Sequence, residues 1–117
     1  MIKTILVSLL GIFFILNGIN HLFNTKTLEE YAHKRGLVSP RLMVWISGVA
    51  LILGGLSLIT GIFKLLGVIG LSVFLVVAAL TIHRFWSERE REMQMLEAMN
   101  FAKNMAIVTE LIYIAAG

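Results

Sequence analysis

Residues 42–63 read LMVWISGVALILGGLSLITGIF, a run without a single formal charge. A helix needs roughly 20 largely apolar residues to cross the hydrocarbon core of a bilayer, with about 17 as a working minimum. This run meets that length on its own. Three further runs lie around it. Thr4 to Phe23 is uncharged while His21 is neutral, Leu65 to Ile82 is uncharged, and Phe101 to Ala116 carries Lys103 near its start and Glu110 in its middle. Outer-membrane strands would show alternating segments of about 10 residues. These runs are continuous and longer, which predicts helices. The expected fold is an all-α membrane protein with one domain over residues 1–117. It is a four-transmembrane-helix bundle with spans near 4–23, 42–63, 65–85 and 101–116 and short amphipathic helices in the two long loops.

Composition points the same way. The chain is 58% hydrophobic and 15% charged, against about 45–50% and about 25% in an ordinary soluble domain. A water-soluble chain of 117 residues cannot bury so much apolar surface, because small domains hide a limited share of themselves. The absence of cysteine excludes a disulfide framework, a dithiol redox motif and a thiolate metal site. The net charge of +3 lies between apolar runs, so membrane orientation is expected in place of nucleic-acid binding. Lys3 before the first run is the pattern of a signal peptide. The long apolar part and the lack of a small-x-small cleavage pattern predict a retained span instead.

The connections carry turn and capping signals. Thr27-Leu28-Glu29-Glu30 fits a capping box that predicts a short helix from Leu28 to about Arg35, ended by Gly36. Pro40 suits the first turn of the second span. Phe63, Lys64 and Leu65 are expected to form a tight hairpin. Ser87-Glu88-Arg89-Glu90 fits a second capping box. It opens a stretch to residue 99 that reads either as an interfacial helix or as an extension of the third span. Glycines are frequent inside the spans, and Ala50-x-x-x-Gly54 and Ser57-x-x-x-Gly61 place small residues one turn apart. Close backbone approach is a main source of helix association in lipid, so the second span is expected at the centre of the packing.

Lys26, Lys34, Arg35 and Arg41 in one loop and Arg84, Arg89, Arg91 and Lys103 in the other make eight of the ten basic residues. The positive-inside bias predicts a multi-pass protein of the cell membrane with loops 24–41 and 84–103 in the cytoplasm and both termini outside.

Polar groups inside lipid are costly and mark candidate sites. Here they are Asn17, Asn20 and His21 in the first span, His83, Arg84 and Trp86 at the end of the third, and Lys103, Asn104 and Glu110 in the fourth. By the expected topology the two histidines, Arg84, Lys103 and Asn104 lie at one membrane side. Asn17 lies roughly 6 Å inward of His21 and Glu110 roughly 10 Å inward of Lys103. The pattern predicts a polar pocket opening on the basic side and reaching toward the midplane. Beside that reading stand ordinary roles. Arg84, Trp86 and Lys103 suit interfacial anchors, the histidines suit helix ends, and Asn17 suits an interhelical hydrogen bond. Glu110 is expected to serve function or bundle assembly and not to face lipid. No metalloprotease spacing or phosphate loop is present. A two-histidine metal or haem site at His21 and His83 is a lesser alternative.

Gly11-Ile12-Phe13, Asn17-Gly18, His21-Leu22, Gly36, Pro40, Gly54-Gly55 and Gly61, followed by His83-Arg84-Phe85-Trp86 and Phe101-Ala102-Lys103-Asn104-Met105-Ala106, resemble the DoxX family in order and spacing, from about Gly11 to Tyr113. That family takes its name from a small membrane subunit of a thiosulfate:quinone oxidoreductase. The resemblance implies a four-helix membrane fold, a quinone as the cofactor, a redox partner protein and the role of a membrane subunit in a quinone-linked oxidoreductase. Many relatives have Lys near the position of His21, a departure that alters the charge of that site. Two other classes remain open. One is a structural or assembly subunit without a small-molecule site, and the other is a small proton-coupled transporter that uses Glu110 and forms a homo-oligomer.

Overall fold

The computed structural model describes residues 1–36 and 39–117. Its elements are α1 (Ile2–Phe23), α2 (Thr25–Lys34), α3 (Pro40–Thr60), α4 (Lys64–Thr81), a 3₁₀ turn (Phe85–Ser87) and α5 (Arg91–Ala116). They form two compact units, Met1–Leu71 and Ser72–Gly117, with α4 running through the boundary.

Three segments are long and apolar enough to cross a membrane: Ile2–Phe23, Pro40–Thr60 and Lys64–Ser87. Only between 17% and 33% of each is buried within the protein. Large side chains such as Leu6, Leu9, Leu16, Ile46, Leu53, Leu66 and Val77 point outward. An apolar exterior of this extent is stable against lipid tails and not against water.

In the first unit, α1 and α3 pack against each other through glycine. Gly11, Phe14 and Gly18 form the buried face of α1, and Val44, Gly48, Leu51, Gly54, Gly55 and Leu58 are buried on α3. A Cβ on Gly55 would stand 2.5 Å from the Gly11 carbonyl oxygen, and one on Gly18 would stand 2.6 Å from the Gly48 oxygen. Each helix therefore has two glycines seven residues apart, meeting those of its antiparallel neighbour, and the second span is central to this unit as its composition predicts. The other side of α3 meets the start of α4. A Cβ on Gly54 would strike Leu71 at 2.5 Å, and one on Gly67 would strike Ser57 at 2.7 Å.

The connections depart from expectation in four places. The first capping box does not form. Helix α2 already starts at Thr25, so Thr27 lies inside it and its N-terminus has no side-chain cap. Asn24 ends α1 and begins α2, leaving no open chain to cap, and the Thr25 hydroxyl instead donates to the His21 and Leu22 carbonyls at 2.9 and 2.8 Å. The stop at Gly36 (φ 78°) and the start at Pro40 are as expected. The hairpin lies at Gly61–Phe63, earlier than its expected place, because Gly61 (φ 78°) closes α3 in the left-handed region and α4 starts at Lys64.

The second capping box is also absent. The Ser87 hydroxyl donates to the Arg84 carbonyl at 3.0 Å, and α5 begins four residues later with Glu90 at its N-cap. Finally, residues 91–99 form neither a separate interfacial helix nor an extension of α4. They are the first turns of α5, which continues through the fourth apolar run. No Gly or Pro interrupts Arg91–Ala116, so nothing breaks the helix there.

Candidate functional site

The polar residues fall into two groups, one in each unit. In the first, His21 Nδ1 lies 2.8 Å from Ser47 Oγ, and Ser47 Oγ donates to the Val44 carbonyl at 2.9 Å. Which of the two groups donates in the His21–Ser47 bond follows the imidazole tautomer. This bond ties the end of α1 to α3. Asn17 and Asn20 make bonds along their own helix. Asn17 Nδ2 donates to the Phe13 carbonyl at 2.8 Å, and the Asn24 amide donates to the Asn20 side-chain oxygen.

The second group is built on the end of α4 and one face of α5. Glu97 is 1% exposed, Asn104 4% and Leu111 0%. Their seven-residue spacing sets them on one stripe of the helix. His83 sits just past α4, where its N–H closes on the Ala78 carbonyl at 3.1 Å. Its Nδ1 lies 3.2 Å from Glu97 Oε2, with 18% of the histidine side chain exposed. Asn100 Nδ2 donates to Glu97 Oε1 at 3.1 Å. One turn further along α5, Asn104 Nδ2 donates to the Leu75 carbonyl at 3.2 Å. Both carboxylate oxygens are thus engaged, as a buried carboxylate requires.

Beside this pair stands a triangle of rings. Phe85, Trp86 and Phe101 meet edge to face with centroids 5.1, 5.6 and 5.8 Å apart. The 3₁₀ turn brings Phe85 and Trp86 back onto α5, and Arg84 is half-buried at its start. A hydrogen-bonded proton carrier next to an aromatic wall can hold a polar ring and exchange protons with it.

Lys103 and Glu110 share a face, as their spacing requires, but that face is exposed. Glu110 does not line a buried pocket with Asn104. The buried carboxylate is Glu97, which the sequence places in the charged stretch read as an interfacial helix or an extension of the third span. The clue to it was the Glu97–Asn104–Leu111 spacing, one residue out of phase with Lys103 and Glu110.

The DoxX family model matches residues 4–84. The chain belongs to the DoxX family. The match takes in Asn17, Asn20, His21, His83 and Arg84 and ends before α5, so the resemblance read to Tyr113 extends past the matched residues. No curated protein and no solved structure gives a significant match. This DoxX-family chain is a multi-pass membrane protein whose apolar helices call for a lipid bilayer.

Proposed function

We propose that this DoxX-family protein is a redox-associated membrane subunit that holds a quinone headgroup at the His83–Glu97 cluster. The observation that supports the reading most is a carboxylate 1% exposed, hydrogen-bonded to a histidine 18% exposed, beside the Phe85, Trp86 and Phe101 rings. His83 is the member a headgroup reaches and donates to a quinone carbonyl. Glu97 stands behind it and holds the proton that His83 gives up or takes back. The rings offer an apolar face to the quinone ring, and the tail lies along lipid-facing helix surface.

Conversion of a quinone to a quinol takes two electrons and two protons. The chain has no cysteine, and the electrons come from a redox partner protein. The protein's own contribution is binding, orientation and proton transfer. The same reading takes the apolar half of α5, from Phe101 to Ala116, as a fourth span in a single domain, with the basic loops in the cytoplasm and both termini outside. A C-terminal reporter active only in the cytoplasm would remain silent in this topology.

The binding test is calorimetric titration of the purified protein with a short-chain quinone. His83→Ala and Glu97→Gln are expected to weaken binding, while His21→Ala is not. Binding indifferent to all three overturns the site. The assembly-subunit reading draws support from a different observation, the glycine contacts between α1 and α3, which need no ligand. Nothing comparable favours a carrier built on the exposed Glu110.

A further inference from the structure

A groove of about 780 Å³ runs along the outer face of α3 in the first unit, and its lining includes Glu29, Arg41, Trp45, Ile46, Val49 and Leu53. The lining is almost wholly apolar, and it includes one anionic side chain, Glu29, and one cationic side chain, Arg41. Among the described residues neither of these charges is in an ion pair. From Arg41 to Leu53 the groove follows roughly 18 Å of helix, close to the depth of one leaflet, about half of the ~30 Å hydrocarbon core.

We propose that this groove is a binding site for a phospholipid with a zwitterionic, primary-amine headgroup, phosphatidylethanolamine. The phosphate pairs with the Arg41 guanidinium, the ammonium donates to the Glu29 carboxylate, and one acyl chain lies on Trp45, Ile46, Val49 and Leu53. The pairing of opposite charges selects the headgroup. An anionic glycerol headgroup meets Arg41 but is repelled by Glu29, and a choline headgroup brings no N–H for the carboxylate. A neutral quinone ring has no use for either charge. The site is on other elements than the His83–Glu97 cluster, and it stands or falls separately.

The test is native mass spectrometry of the full chain in detergent, with phosphatidylethanolamine, phosphatidylglycerol and phosphatidylcholine of matched acyl chains. Phosphatidylethanolamine is expected to be retained about tenfold more strongly than either other lipid, the size of one charge-assisted hydrogen bond. Glu29→Gln is expected to erase that preference, and Arg41→Gln to weaken all three lipids. Val49→Trp, which fills the groove, is expected to reduce retention without changing the order. Equal retention of the three lipids by the unmodified protein overturns the proposal, as does a preference for phosphatidylglycerol or a preference that survives Glu29→Gln.

Discussion

The two units fasten their helices by opposite means. In the first, α1 and α3 meet backbone to backbone at glycine. Its polar residues mostly bond along their own helix, with His21 and Ser47 as a cross-tie near one end. In the second, side chains reach across: His83 to Glu97, and Asn104 to the Leu75 carbonyl. A glycine contact is rigid and tolerates no added atom. A polar contact holds protons and can be rearranged. The first unit is fastened as a scaffold is, and the second carries the polar cluster proposed above to hold a quinone.

The largest effect is expected where the scaffold has no room. Gly55→Leu places a side chain against the Gly11 carbonyl, a backbone atom that can retreat only by parting the helices. A loss of about 3 kcal/mol or more in detergent unfolding is expected, the upper end of overpacking costs. Gly70 has open space around its Cβ position, and Gly70→Ala should change stability by less than about 1 kcal/mol. Equal losses at both glycines would break the comparison.

Next comes the buried carboxylate. Glu97→Ala deprives His83 and Asn100 of their acceptor and should cost about 1–3 kcal/mol, with Glu97→Gln costing less because an amide still fills the space. Circular dichroism during thermal unfolding checks both. Asn104→Ala should cost about 0.6 kcal/mol, the usual size of an interhelical hydrogen bond in lipid. Glu110→Gln, on the exposed face, should stay within about 0.5 kcal/mol of the parent. A large loss there would mean that the Lys103 face of α5, and not only the Glu97 stripe, is packed within the protein.

The helical class and three of the spans were legible because twenty-residue apolar runs have few structural outcomes in lipid. Pro40 and Gly36 were legible because their backbone preferences are local. The hairpin position was not, since Ile62 and Phe63 continue the hydropathy of α3 straight through the turn. Each capping box misled for its own reason. A Ser or Thr signals a cap only if its hydroxyl is uncommitted, and Ser87 bonds back to Arg84 while Thr27 has no helix end to serve.

Site residues divided similarly. His83 and Asn104 stood out as polar residues near apolar runs and do sit on the buried cluster. Glu97 was hidden among the charges of residues 88–97. Only a continuous α5 places it on the stripe of Asn104 and Leu111 and puts Glu110 on the other.

The contrast between scaffold and site can be read from one tryptophan. The chain has two, so Trp45→Phe leaves Trp86 alone, beside Phe101 in the second unit. Titration of that protein with a short-chain quinone in detergent should quench Trp86 fluorescence to a plateau, and His83→Ala should remove the plateau. Quenching that rises linearly with quinone, equally with and without His83, would mean that the probe only partitions into the micelle and that the second unit holds no quinone.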